Sequence, residues 1–328
     1  MKRLDSAWRM ALATQTPAGA KGHLSIVIFH RVLPTPDPLF PGDPDVQRFD
    51  DICAWLAAWY QVLPLDEAAA RLARGSLPER ALAITFDDGY ADNHDLALPI
   101  LQKYGLCSTF FIATGHLDGG CMWNDIIVEA VRHTRLPELE LGGLRLSGVD
   151  CVALADVGQR REAIQKLLDA CKYLAQPVRQ AAAQAIAEHA CVTPRSDLMM
   201  RSDQVRAMAS MGMQIGAHTV THPILSRLND LEAENEIAQS KSDLQDLLGQ
   251  PVTLFAYPNG KPRLDFGARD VALVAKLGFD AAVSTAYGAA KFANASRHQL
   301  PRFTPWDLGH WPFAFRLARN LRQPIEVA

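Results

Sequence analysis

Three short stretches of this 328-residue chain carry side chains able to do chemistry. The first is Thr85-Phe86-Asp87-Asp88-Gly89, two adjacent carboxylates directly after an apolar run. Neighbouring side chains at a strand end diverge, so one aspartate can bind a metal while the other stands beside a reacting water. Asp and Gly are also common turn residues, and by itself this stretch equally describes a turn leading into a helix. The second is His218-Thr219-Val220-Thr221-His222. Two histidines four apart converge in a helix or a tight turn, and imidazole suits zinc and related ions. Coincidental pairs of this spacing are frequent. Joined to an aspartate, however, the two histidines make three protein ligands and leave one position open for water. The third is Phe255-Ala256-Tyr257-Pro258-Asn259-Gly260. It reads as a plain turn, or as a rigid turn whose backbone N–H groups form an oxyanion hole.

The surrounding elements must bring these stretches together. Apolar runs at 24–29, 81–86, 108–113, 213–217, 253–256 and 281–285 read as strands, with a short one at 61–64. Helical patterns fall at 46–60, 66–74, 92–104, 202–211, 230–248 and 266–277. Strands apolar throughout are buried on both faces, and their alternation with helices argues a parallel sheet or barrel. All three reactive stretches follow a strand directly, and barrel enzymes gather their catalytic groups at such C-terminal strand ends. Residues 115–200 break the rhythm with polar loops at 136–150 and Ala-rich helical text at 159–175 and 178–190. This stretch reads as a mostly helical insertion of the kind that shapes a cleft.

In this order the stretches resemble the polysaccharide deacetylases, also called NodB-homology or carbohydrate esterase family 4 proteins. TFDDG at 85–89, HTVTH at 218–222 and AYPNG at 256–260 look like the first three motifs of the family. Residues 278–285 resemble the strand of the fourth motif, and Leu300-Pro301-Arg302 the region of the last. The likeness spans about 24–113 and 199–305. It implies an α/β fold, a distorted (β/α)7-type barrel over 24–305 interrupted by the insertion, with an extension at 1–23 and a helical tail at 306–328. It implies Asp87 as general base and Asp88, His218 and His222 as ligands of a divalent metal, zinc first, with cobalt, nickel, iron or manganese as alternatives. In that scheme the metal activates water and polarises an acetyl carbonyl, and a backbone N–H near Asn259, with Tyr257 beside it, serves the oxyanion.

Two departures stand out. Where many members carry an arginine that tunes the catalytic aspartate, this chain has Ala256; Arg302 is the residue that could reach in instead. The late histidine that serves the family as general acid is also missing, since Arg302 occupies the obvious place. His30, ending the first strand, and His298, just before Leu300, are the substitutes, and His30 is favoured because a strand end aims it at the site. Trp123, Asn124 and Asp125 open the insertion. Trp123 could stack on a sugar and the other two could bind hydroxyls; equally, Asn124 or Asp125 caps a helix with Trp123 packed as a staple. Trp306 and Trp311 read as core, and residues 313–322 as a terminal helix packed on the barrel.

Composition narrows the class. Hydrophobic residues make up 48% and charged residues 21%, an ordinary globular balance. The net charge of −3 offers no basic excess for nucleic acid, and no apolar run is long enough to span a membrane. Six scattered cysteines without a CxxC pair read as reduced thiols. Arg9 interrupts the apolar character near the start, so no cleaved signal is expected, and cytoplasmic residence follows as the expectation, with the inner membrane face as the alternative. The substrate expected is an acylated amino sugar or glycan, free or carrier-linked. Sugar O-deacetylation or deformylation would use the same residues, and an inactive glycan-binding barrel is the rival from another class. A phosphate-handling enzyme lacks its Gly-rich loop.

Overall fold

The computed structural model describes residues 2–144, 146, 148–293, 296–305 and 309–328, so Trp306 lies outside the described residues. The chain divides into two compact units, one of Met1–Thr35, Gly42–Leu117 and Met200–Ala328, the other of Pro36–Pro41 and Asp118–Met199. The first unit begins with α1 (Lys2–Gln15), β1 (His23–Phe29), α2 (Val46–Trp59), β2 (Gln61–Val62), α3 (Leu65–Ala73), β3 (Ala81–Phe86), α4 (Leu98–Lys103) and β4 (Thr109–Ile112). The second unit holds α5 (Trp123–His133), the strands β5 (Glu138–Glu140) and β6 (Cys151–Ala153), α6 (Val157–Lys172) and α7 (Gln176–His189). The chain then returns to the first unit through α8 (Ser202–Ser210), β7 (Gln214–Ala217), α9 (Asp230–Leu248), β8 (Leu254–Ala256), α10 (Ala268–Lys276), β9 (Ala281–Val283), β10 (Ala290–Lys291) and α11 (His310–Asn320).

The sheet of the first unit runs β10-β1-β3-β4-β7-β8-β9, with β2 also against β3. From β1 to β9 every neighbouring pair is parallel. A seventh stave joins its two edges without being a regular strand. Leu300 N–H donates to Ala282 O at 2.9 Å, and Phe303 N–H donates to Ile26 O at 2.7 Å. Leu300 thereby bridges β9, and Phe303 bridges β1, both in parallel sense. The expected (β/α)7-type barrel is therefore built from six strands and residues 300–303.

Side-chain parity along these staves decides what faces inward, because successive residues of a strand point to opposite faces. Leu24, Ile26, Ala81, Ala83, Phe111, Leu254, Ala256, Ala281, Val283 and Leu300 form one buried cluster, the barrel interior. Val27, Phe29, Ile84, Phe86, Phe110, Phe255 and Ala282 belong to another, beneath the helices. Each fully buried Leu, Ile or Phe contributes about 1.5–3 kcal/mol of transfer free energy. Gly216 carries the interior parity on β7 for a steric reason: a Cβ there would lie 2.5 Å from two ring carbons of Phe111. Helix boundaries follow local chemistry. In α9, the Asn229 side chain accepts from Glu232 N–H and the Glu232 side chain accepts from Asn229 N–H, while left-handed Gly249 stops the helix.

The expected helix at 92–104 is instead a π-helical turn at Asn93–Ala97 followed by the short α4. Residues 136–150, expected as loop, contribute β5, which pairs antiparallel with β6. The second unit has its own core of α5, α6 and α7 residues, including Ile127, Leu167 and Ile186. At the chain ends, Trp8 of α1 meets Trp311 and Phe315 of α11 edge-on at 6.1 and 5.4 Å.

Candidate active site

Interior parity continues past the strand ends and carries the reactive residues with it. Asp87 follows Ala83 and Thr85 in the inward column of β3, His218 follows Gly216 on β7, and Arg302 follows Leu300 on the seventh stave. His30 follows Ile26 and Ile28 in the same way at the end of β1. Asp88 has the opposite parity, and the backbone corrects this. Asp88 sits at φ +76° and Gly89 at φ +92°, a twist that a non-glycine residue such as Asp88 adopts at a cost. Thr219, His222 and Asn259 are also left-handed, at +64°, +53° and +59°. HTVTH is accordingly a tight turn, and His222 N–H donates to Thr219 Oγ1 at 3.1 Å.

The result is a compact cluster. Asp88, His218 and His222 offer ligand atoms all within 4.8 Å of one another. Asp88 Oδ1 lies 3.4 Å from Nε2 of both histidines, too long for a good N–H···O bond. That oxygen is buried and has no hydrogen-bond partner. His218 Nδ1–H donates to Ala256 O at 2.7 Å, which fixes the ring with Nε2 facing Asp88; burial works to lower the His218 pKa, but the charges of Asp87 and Asp88 raise it. Burial first, then the neighbouring His218, lowers the His222 pKa to about 3 against the pull of Asp88, so its ring is neutral. An orphaned carboxylate oxygen shared by two imidazole nitrogens fits a divalent cation of the zinc class.

Asp87 is held from the other side. Arg302 Nη1 and Nη2 donate to its two oxygens at 2.6 and 2.7 Å, and Arg302 Nε donates to Ser284 O at 2.8 Å. The guanidinium is wholly buried. Burial acts to raise the Asp87 pKa, but the Arg302 charge, then His218, then the Arg302 hydrogen bonds together hold it below the ordinary value. Arg302 thus delivers to Asp87 the guanidinium that Ala256 does not. Asp87 Oδ2 also lies 3.9 Å from His218 Nε2, on the side of the ligand cluster.

The remaining candidates separate. His30 is exposed at the mouth and close enough to act electrostatically on both Asp87 and Asp88. His298, which the sequence offers as an alternative acid, is not brought to the cluster. Its ring is buried with Nε2 against Phe279 O at 2.9 Å, ahead of β9 and away from the strand end. Tyr257 corrects a second expectation. It has the outward parity, stacks on Phe266 at 3.9 Å, and donates its O–H to His298 O and its N–H to Val283 O. Neither polar group remains for an oxyanion. Asn259 N–H, by contrast, has no partner among the described residues. In the second unit, Trp123 lies under the Arg179 guanidinium, 5.0 Å from it. The cap of α5 is Met122, so Trp123, Asn124 and Asp125 are the first helical residues and neither polar one is the cap.

Two supports escaped sequence reasoning. Glu236 of α9 accepts from Val220 N–H, Thr221 N–H and the Thr221 hydroxyl, at 2.9, 2.9 and 2.6 Å, and so fixes the histidine turn. Asp92 and Asn93 bind the segment after β1: Asn93 Nδ2 donates to His30 O at 2.8 Å, and Arg31 Nε to Asp92 at 2.8 Å. Glu236 lies 14 residues beyond His222 inside an ordinary acidic helix, where nothing marks it. Asp92 and Asn93 had one signal, their place just past the aspartate pair.

The barrel thus carries an Asp-His-His cluster and an arginine-held aspartate at its strand ends. Residues 74–137 and 154–282 match the polysaccharide deacetylase family, and the chain belongs to that family of hydrolases. YxkH of Bacillus subtilis (strain 168), a member by name, is 23% identical over 287 residues, 87% of this chain and 70% of the relative. Among solved structures, IcaB from Ammonifex degensii aligns with a TM-score of 0.58 at 16% identity, over 93% of this chain and 98% of that one. The Streptococcus pyogenes deacetylase PplD, solved with acetate, aligns at 0.56 with 19% identity, over 86% and 92%. A de-N-acetylase from Aggregatibacter actinomycetemcomitans aligns at 0.58 with 15% identity, over 90% and 99%. At these identities the likeness concerns the fold.

Proposed function

We propose that this deacetylase hydrolyses N-acetyl groups on an amino sugar of a polysaccharide or its precursor, with Asp88, His218 and His222 holding a divalent metal, zinc first. The observation that carries this is Asp88 Oδ1, buried, unbonded and shared between two imidazole nitrogens. The metal, when bound there, supplies a Lewis acid that activates water and polarises the acyl carbonyl. Asp87, ionised under Arg302, takes the proton of the attacking water. Asn259 N–H donates to the oxygen of the acyl carbon as charge develops; a donor of this kind is worth about 10²–10³ in rate. His30 delivers a proton to the leaving nitrogen, a contribution of about 10²–10⁴.

The inactive glycan-binding reading rested on Ala256 standing where an arginine is usual, and Arg302 removes that support. Among the described residues no helix is long and apolar enough to cross a membrane. The near-neutral charge favours a sugar over nucleic acid as ligand. A carrier-linked precursor met in the cytoplasm or at the inner membrane face is the setting proposed. The test is acetate release by the purified, metal-analysed protein from matched N-acetyl, O-acetyl and N-formyl sugar oligomers. Release from the N-acetyl substrates, lost on chelation and restored by zinc, is expected. Turnover of the O-acetyl or formyl substrates alone would reassign the acyl group, and no turnover by fully metal-loaded protein would return the chain to the glycan binders.

A further inference from the structure

The π-helical turn at Asn93–Ala97 begins four residues after Gly89, on the loop that carries Asp87 and Asp88. Its N-cap, Asp92, and its first residue, Asn93, grip the three residues that follow β1. Asn93 Nδ2 donates to His30 O at 2.8 Å, Arg31 Nε donates to Asp92 Oδ2 at 2.8 Å, and Val32 N–H donates to Asp92 Oδ1 at 3.3 Å. Asn93 Nδ2 also donates to Asp92 Oδ1 at 3.1 Å. Both amide hydrogens therefore point at acceptors, which sets the orientation of the amide. Asn93 is fully buried and its Oδ1 has no partner. A buried amide left half satisfied costs free energy, commonly about 1–3 kcal/mol. Residues kept at such a cost, and π turns in general, gather at functional sites.

Geometry connects this grip to the reaction. His30 has no strand partner beyond Phe29, which accepts from Asp87 N–H at 3.0 Å, so its position depends on what holds the segment after β1. The aspartate loop and the His30 segment are thus tied by the sheet, by the Arg31 guanidinium over the Tyr90 ring at 4.8 Å, and by Asp92 and Asn93, which alone among the described residues bind the backbone of residues 30 and 32 from this loop beyond the sheet. We propose that Asn93, with Asp92, is a positioning residue that holds His30 at a fixed distance from Asp87 and Asp88, acting on proton delivery and not on metal binding. This rests on the reading of His30 as the acid. A side chain exposed at a barrel mouth samples many rotamers, and anchoring its backbone narrows where the ring can reach. The effect belongs in kcat, because neither Asp92 nor Asn93 touches a ligand of the cluster.

The test is a double-mutant cycle on the full chain, with Asn93→Ala in the native and His30→Ala backgrounds. Kinetics, metal content and the imidazole resonances of isotope-labelled histidines are read together. Asn93→Ala is expected to lower kcat about tenfold in the native background and less than twofold in the His30→Ala background, with metal content and KM unchanged. Equal losses in both backgrounds, or lost metal, would overturn the proposal. If His30→Ala leaves turnover intact, the assignment of the acid falls separately. The grip is then judged by resonances alone: a shifted or broadened His30 signal with unmoved His218 and His222 signals sustains it, and an unmoved His30 signal refutes it. Asp92→Asn, which keeps the shape but removes the charge facing Arg31, repeats the cycle should Asn93→Ala melt below the assay temperature.

Discussion

Replacing Arg302 by methionine isolates what a buried counter-ion does for the aspartate beside the cluster. The side chain is wholly buried and makes two charge-assisted bonds to Asp87 and one to Ser284 O. Methionine fills much of the same volume but leaves a buried carboxylate without its partner. Breaking a buried pair from one side costs about 3–5 kcal/mol. In a domain of this size each kcal/mol moves Tm by about 2–4 °C, so a fall of about 6–20 °C is expected. Turnover should fall further than stability, because an Asp87 relieved of Arg302 rises in pKa and holds its own proton. The sign with pH follows from the depressed Asp87 value. Stabilisation by the pair is present above the ordinary carboxylate value of 3.8 and is lost in the native protein only as pH falls through the lower folded value; because Asp87 of Arg302→Met is raised instead, the difference in Tm between the two proteins narrows from that raised value downwards as pH falls. The double variant Asp87→Asn with Arg302→Met removes both charges and should regain most of the lost Tm without regaining acetate release. Native-like melting and turnover in Arg302→Met, or a double variant no more stable than the single one, would refute this account.

Other perturbations probe the parts one at a time. Asp87→Asn should retain metal by elemental analysis while acetate release drops below detection; residual native-level turnover would remove Asp87 as the base. His218→Ala should come through purification without stoichiometric metal, since it removes one of three ligand atoms. Glu236→Gln leaves the Val220 and Thr221 N–H groups facing a weaker acceptor, and metal affinity measured by competition with a chelator should weaken by about 10–100-fold. His298→Ala should lower Tm through the lost bond to Phe279 O and leave the kcat of the folded fraction unchanged; a specific loss of kcat would return His298 to the candidates for the acid.

Most of the barrel could be read from the chain because its staves are apolar on both faces and end in recognisable chemistry. The strand at 81–86 and the helix at 230–248 fall where their patterns put them, the latter because Asn229 and Gly249 mark both ends. Readings failed where a short or polar element gave periodicity nothing to act on. β5 and β6 are three residues each, with only their central residues buried, and the turn at Asn93–Ala97 carries helical text with a π register. Of the site, Asp87, Asp88, His218 and His222 announce themselves by type and spacing. The resemblance offered Arg302 as the arginine for the catalytic aspartate, but the apolar pattern could not place it there, because only the parity of the seventh stave turns it toward Asp87. Tyr257 misled because a motif does not say which way its side chains face, and outward parity sends this ring beneath the helices.

The seventh stave also sets an order in time. Asp87 and its counter-ion are 215 residues apart in sequence, and Leu300 and Phe303 join the sheet only after every other stave exists. A nascent chain leaving the ribosome presents its aspartates early, with a gap between β9 and β1 and no cation to neutralise a buried carboxylate. Hydrolytic competence therefore waits for translation to pass Arg302, and a prematurely terminated product carries the reactive motifs without the means to use them.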